Sequence, residues 1–318
     1  MRSSISGVVA FALMPIAMVS AQATFASSAK RGLVFVPNPS HPADNQIWVE
    51  SGSDLTWYYN YGIDPSPAYS NRSQADFEFV PMLWGTPSSD TDTTFSDGVE
   101  ALISGGTNIS HILAFNEPDG ESSTGGSSIQ PEAAAKTWIR EVVPLQKMGV
   151  QCGGPAVTGS QRGITWLEDF FSACSSLGTN CTVDFLPVHW YGNFEGLASF
   201  LGQVAAAYPN TSIWITEYAL NHADLDDSQA FFNSSAEYFD RLDFVGRYSY
   251  FGSFRSSVSN VGPNAAMLTQ KGELTDIGSW YLGGAATNNI PKASAAGKVT
   301  VGAMWGALVV VAVSFCFL

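Results

Sequence analysis

A chain of 318 residues with 45% hydrophobic content is long enough for two small domains or one large barrel, and apolar enough for a real core. Lys and Arg total 14 against 28 Asp and Glu, a formal charge of -14, which argues against a phosphate backbone or an anionic lipid surface as partner. A neutral ligand suits that balance, and nucleic acid is set aside.

In chain order, residues 1–21 come first: Arg2, an apolar core from Val8 to Val19, and small-residue cleavage options after Ala21 or Ala23, a secretory signal pattern. Lys30 and Arg31 then form a dibasic pair, either a processing site or a charged pair at the entrance of a domain. Eight short β-branched or aromatic runs follow: "GLVFVP" (32–37), "LTWYYNYG" (55–62), "FEFVPMLWG" (77–85), "HILAFNEP" (111–118), "VQCGGPAV" (150–157), "VDFLPVHWYG" (183–192), "TSIWITEYAL" (211–220) and "GRYSYFGSF" (246–254).

Between the later runs, residues 131–149, 164–178, 194–209 and 228–244 repeat apolar side chains at three- and four-residue spacing and end near Gly or Pro, which predicts helices. Pro131 stands at a plausible first helical position. Alternating strands and helices imply parallel strands with crossover helices, and eight repeats predict an α/β fold, a single (β/α)8 TIM barrel over residues 31–284. The alternative, an open doubly wound sheet, lacks a Gly-rich phosphate loop after the first strand. The first quarter carries the weakest pattern: residues 38–54 are loop-rich, and the helix over 95–106 is short. The polar, acidic run 88–98 reads as a solvated loop bordering the mouth.

Residues 285–318 read as a spacer, "NNIPKASAAGK", and an almost wholly apolar tail from Val299 with no basic residue beyond it. With small residues at 283–286 and 294–296, this matches a glycosylphosphatidylinositol (GPI) anchor signal, a membrane helix being the other reading. Cys316 falls in that tail. Among Cys152, Cys174 and Cys181, the pair Cys174 and Cys181 encloses a short loop and is the preferred disulfide, although Cys152 is able to replace either partner. Five Asn-X-Ser/Thr triplets, at Asn71, Asn108, Asn180, Asn210 and Asn233, are acceptors for glycans in an exported protein. No metal-ligand spacing is present, and no feature points to a protein partner.

Sites in such a barrel form at the C-terminal ends of the strands. Glu117 closes the fourth run and Glu217 the seventh, in matching positions. Two such carboxylates facing each other serve glycoside hydrolysis, one protonating the leaving oxygen and one attacking the anomeric carbon. A gap of about 5 to 5.5 Å implies retention, and about 6.5 to 9.5 Å inversion. The competing reading is an ion pair with Arg247 on the eighth run. Aromatic side chains at strand ends, Trp84, Tyr191 and Tyr250 foremost, are expected to stack on sugar rings, with Asn60 and Tyr61 next and Trp190 and Tyr218 beside them. Strand alternation puts His189 on the face of Tyr191, opposite Trp190.

Taken in order, "GLVFVP", "WYYNYG", "FVPMLWG", "FNEPD", "GGPAV", "FLPVHWYG", "WITEYA" and "RYSYFG" resemble glycoside hydrolase family 128, over about residues 31–282. The resemblance implies a retaining β-1,3-glucan hydrolase of the fungal cell wall without metal or other cofactor. Glu117 would be the acid/base, Glu217 the nucleophile and Asn116 the holder of the sugar's 2-hydroxyl, with His189 binding sugar or orienting the nucleophile. Where the family often has Trp this sequence has Tyr61 and Tyr250, which bears on the length or position of the bound sugar chain. The resemblance leaves two alternatives open: a glucan-binding wall protein with little turnover, and a hydrolase of another neutral β-linked polysaccharide.

Overall fold

The eight runs become nine strand segments. In the computed structural model, which describes residues 27–291, these are β1 (Arg31–Val34), β2 (Trp57–Tyr59), β3 (Glu78–Phe79), β4 (Met82–Leu83), β5 (His111–Asn116), β6 (Gln151–Ala156), β7 (Phe185–Tyr191), β8 (Ser212–Ala219) and β9 (Val245–Tyr250). β3 and β4 are halves of the predicted third strand, parted at Val80 and Pro81, where proline has no N–H to give a ladder. The break is also a change of neighbour: β3 pairs with β2, and β4 with β5.

Every strand pairing is parallel, and the order runs β3-β2-β1-β9-β8-β7-β6-β5-β4. Its two ends are consecutive pieces of one strand, so the sheet closes into the expected (β/α)8 barrel.

The crossovers explain which helices the sequence announced. α1 (Asp44–Ile47) is a single turn, and β2 leads to β3 through only a 3-10 turn at Pro67–Tyr69, so the barrel's first quarter is wrapped by irregular chain, as its pattern foretold. α2 (Thr94–Ser104), α5 (Gln161–Ser176), α6 (Phe194–Ala207) and α7 (Leu225–Arg241) match their predicted spans. The helix predicted over 131–149 is α3 (Pro131–Thr137) and α4 (Val143–Lys147) joined by a π turn, Trp138–Val142. Pro144 lacks the N–H that would close the ordinary bond there, and the π turn absorbs the mismatch. A short α8 (Asp276–Tyr281), capped by the Thr275 hydroxyl on Gly278 N, had no periodicity long enough to be noticed.

Two apolar layers result. Val34, Trp57, Tyr59, Val80, Met82, Leu113, Phe185 and Trp214 fill the barrel interior, while alternate strand residues such as Leu33, Tyr58, Ile112, Leu186, Val188 and Ile215 pack outward among the helices. Below the interior layer, at the strand starts, Glu78 takes Arg247 Nη2 at 2.6 Å and His111 Nδ1 at 2.6 Å. Arg247 lies 4.4 Å over the Trp214 ring. It is therefore committed to the far end of the barrel, and the ion pair that competed with catalysis for Glu117 or Glu217 does not form.

The dibasic pair is built into the fold. Arg31 is wholly buried and bonds Asp54 at 2.8 Å and the Tyr248 hydroxyl at 3.0 Å. Lys30 donates to the carbonyls of Phe239 and Leu242 at the C-terminal end of α7, where helix carbonyls lack partners. Cutting after Arg31 would sever a core strand. Cys174 and Cys181 form the disulfide, and Cys152 is free and buried. Among the described residues no helix is long and apolar enough to cross a membrane; the predicted signal segment and the apolar tail lie outside the described residues.

Candidate active site

Strict alternation along β8 would put Trp214 inside, Ile215 outside, Thr216 inside and Glu217 outside. The pairing shows otherwise: Val188 opposes Ile215, and the next pair is His189 with Glu217, so Thr216 is an extra residue on β8. This bulge turns Glu217 into the barrel mouth, the re-aiming that bulges supply beside functional sites. β5 does the same. Its pairing with β6 slips on both sides of Ala114, Phe115 packs outward with the helices, and Asn116 and Glu117 both turn into the mouth.

That geometry needs unusual backbone. Phe115, Glu117 and Tyr61 have φ of 44°, 42° and 62°, the left-handed region that costs a non-glycine residue roughly 1 to 3 kcal/mol. The loop after Glu117 holds it there. Glu117 N donates to Ala156 O at 2.8 Å, and a Cβ on Gly126 would stand 2.8 Å from the Glu117 carbonyl oxygen and 2.5 Å from Gly120, so only glycine lets the loop fold so closely.

Glu217 sits in a corral of phenols. Tyr191 donates to its Oε2 at 2.5 Å and Tyr61 to Oε1 at 2.8 Å, while the Tyr59 hydroxyl, 3.4 Å from Oε1, donates to Thr216 O at 3.0 Å. His189, 1% exposed, lies between the carboxylates, with Nδ1 2.9 Å from Glu117 Oε1 and 3.5 Å from Glu217 Oε2. Burial pushes the Glu217 carboxyl above its ordinary value and the neighbouring Glu117 adds to this, against His189 and the tyrosine donors, which favour its anion. Burial disfavours a charged His189, but the two carboxylates outweigh it and raise its pKa. Burial and Glu217 together hold the three phenols well above their usual pKa, so they stay protonated as donors.

The cleft over this cluster has a volume near 680 Å³. Of the residues expected at the site, Tyr61, Trp84, Asn116, Glu117, Tyr191 and Glu217 line it, and His189 lies buried between the two acids. Asn116 gives its amide to Gly125 O at 3.0 Å while its Oδ1 is buried without a partner among the described residues. The remaining four are elsewhere. Tyr218 and Tyr250 face outward, wholly buried, with rings 5.2 Å apart and packed against Phe239 and Phe232 of α7. Trp190 also faces outward, its ring pressed on Gly159 and Gly196 and stacked on Phe200 of α6. Asn60 closes a turn, accepting from Gly62 N and donating to Asp64 O.

Thr124, Gly125, Phe251, Asn221, Asn260, Val261 and the 158–160 turn complete the cleft, all from loops that follow strands. None ends a strand run, which is why they escaped notice. Phe251 has the parity opposite to Tyr250, and that signal was available. Glu117, His189 and Glu217 are also the one group among the described residues whose donor atoms, within 4.8 Å of one another, are close enough to hold a metal ion.

A closed barrel whose fourth- and seventh-strand carboxylates meet in a neutral cleft defines a glycoside hydrolase scaffold, and residues 32–281 match the family model described as the glycosyl hydrolase catalytic core. The chain belongs to glycoside hydrolase family 128. It is 31% identical over 265 residues to alkali-sensitive linkage protein 1 of Schizosaccharomyces pombe, covering 80% of this chain and 44% of that protein, so it spans under half the length of that relative. A curdlan-specific exo-β-1,3-glucanase from Blastomyces gilchristii, solved with glucose, is similar at 26% identity and a TM-score of 0.62, over 80% of this chain and 98% of that one. A variant endo-β-1,3-glucanase from Amycolatopsis mediterranei, solved with laminaritriose and laminaribiose, is similar at 28% identity and a TM-score of 0.58, over 80% and 98% of the two chains.

Proposed function

We propose that this protein hydrolyses β-1,3-glucan in an endo fashion with retention of configuration, with Glu117 as acid/base and Glu217 as nucleophile. The observation that carries the reading is the approach of the two carboxylates to within 4.8 Å across the mouth, short of the roughly 6.5 to 9.5 Å that would admit a water on the far face of the sugar. Glu117 gives its proton to the glycosidic oxygen while a Glu217 oxygen bonds to the anomeric carbon and the old C–O bond breaks. Water then gives a proton to Glu117 and attacks the same carbon, and the ester to Glu217 breaks.

The division of roles follows the hydrogen bonds. Two phenols, Tyr61 and Tyr191, donate to Glu217, which suits a carboxylate that must be an anion to attack and must be one again after deglycosylation. The free Oδ1 of Asn116 is an acceptor placed for a sugar hydroxyl. The cleft has no cationic side chain on its lining and presents Trp84, Tyr191 and Phe251, which suits an uncharged pyranose chain. We further propose export and GPI tethering, hence a cell-surface role in wall remodelling, on the strength of the two terminal segments. A phosphatidylinositol-specific phospholipase should then release the protein from intact cells, and unlipidated protein in the medium alone would contradict it.

The decisive assay follows reducing ends and product anomers from soluble β-1,3-glucan for wild type, Glu117→Gln and Glu217→Gln. Both variants should lose at least a thousandfold in kcat. With azide and an activated β-glucoside, Glu117→Gly should yield the β-azide and Glu217→Gly the α-azide. Absence of cleavage with glucan binding kept in all three proteins would make this chain a binder instead.

A further inference from the structure

The five glycan-acceptor triplets take no part in the cleft, and their placement is not random. Asn71, Asn108, Asn180 and Asn210 are exposed, and each lies in chain leading into a strand: before β3, β5, β7 and β8 respectively. In a closed parallel barrel those connections share the N-terminal face, opposite the mouth. Contacts agree with this, since Gln74 in the Asn71 connection donates to the Asn108 carbonyl at 3.2 Å, and Gln146, ahead of β6, donates to the carbonyl of Thr182 in the Asn180 triplet at 2.7 Å. The length of β5, six residues at about 3.3 Å each, puts roughly 20 Å between that face and Glu117. Asn233 differs. It lies in mid-α7 between buried Phe232 and buried Ser235, with its carboxamide Oδ1 turned into the protein and buried.

We propose that Asn71, Asn108, Asn180 and Asn210 carry N-linked glycans and Asn233 carries none, so that the sugar coat covers the closed end of the barrel and leaves the mouth bare. In each transfer the asparagine Nδ2 bonds to the anomeric carbon of a lipid-pyrophosphate-linked oligosaccharide. The carbon–oxygen bond to the pyrophosphate breaks, the lipid pyrophosphate leaves with the electron pair, and one amide proton passes to a base of the transferase. Asn233 is half-buried, and a glycan on its carboxamide would have to turn the buried Oδ1 out of the protein from the middle of α7. The consequence for a wall enzyme is directional: four bulky hydrophilic chains keep the closed end solvated and turn the mouth toward polymer.

The test is site mapping on the full chain secreted from a yeast, by peptide N-glycosidase digestion in heavy-oxygen water and mass spectrometry. The expected result is the isotopic tag at Asn71, Asn108, Asn180 and Asn210 and none at Asn233. A tag at Asn233, a missing tag at any of the four, or a chain without glycan overturns the proposal. The mapping reads covalent attachment alone, so it decides the matter even where no glucan is cleaved. The face is tested separately with Ala223→Thr, which makes Asn221 at the mouth an acceptor. Glycosylated Ala223→Thr protein should bind laminari-oligosaccharides at least tenfold more weakly, and enzymatic trimming of the wild-type glycans should change binding less than twofold. A tenfold gain on trimming the wild type would mean that its coat reaches the mouth.

Discussion

At the residue scale the mouth is a set of groups that oppose folding and favour chemistry. The folded state binds a proton on Glu217 more tightly than the unfolded chain does, because burial and Glu117 raise its pKa. Stability from that proton is full below the ordinary carboxylate value of about 4.3 and declines as pH rises through the raised one. Glu217→Gln removes the penalty. The variant should therefore be more stable than wild type at pH 7, with the gap closing as pH falls below the ordinary carboxylate range, as thermal unfolding across pH would show. The corral predicts a kinetic effect of opposite sense. Tyr191→Phe deletes the shortest donor to Glu217 and should lower kcat tenfold to a hundredfold, the worth of a charge-assisted hydrogen bond of about 1.5 to 3 kcal/mol, with KM little changed. An equal rise in KM would mean that Tyr191 acts as a sugar platform instead.

At the element scale, parity decides which side of the wall an aromatic serves. Glu117 and Glu217 could be picked out in the sequence because each is an acid closing an apolar run. Tyr218 could not be sorted, because the bulge in β8 breaks the alternation that a reader would count, whereas Tyr250 is set apart from the mouth by its parity against Phe251. A bulge has no residue signature; it exists only as a mismatch between two strands distant in sequence. Trp190 is the instructive contrast, since alternation from His189 does place it outside, yet its neighbourhood in "HWY" suggested the mouth. The two tryptophans should accordingly separate by assay. Trp84→Ala, at an exposed cleft wall, should weaken oligosaccharide binding about tenfold and leave unfolding unchanged. Trp190→Ala empties a slot between two glycines and should cost about 3 kcal/mol of stability, with kcat/KM per folded molecule kept.

At the scale of the whole molecule, a closed sheet has a seam wherever first and last strands meet, here β1 with β9, which share only the register Arg31–Tyr248 and Gly32–Ser249. α8 bolts that seam. The Tyr281 hydroxyl donates to Gly32 O at 2.6 Å and receives Tyr250 N at 3.1 Å, joining both strands. The segment after the expected domain end at 284 in turn holds α8: Asp276 Oδ1, in its first turn, accepts from Thr287 N and Asn288 N at 2.7 Å each, and the Ser279 hydroxyl donates to Ala285 O. These bonds cross from the spacer to the barrel, a relation that composition does not reveal, because "ATNNI" reads as linker. A chain ended after Gly284 should thus unfold about 2 kcal/mol more easily than one ended after Pro291, several degrees in Tm for a domain of this size, with unaltered kcat. Equal melting temperatures would show that α8 bolts the seam unaided. The same bonds bear on the anchor: lipid attached at 283–286 would remove the Thr287 and Asn288 bonds to Asp276 with the tail, whereas attachment at 294–296 keeps them and the stability they add.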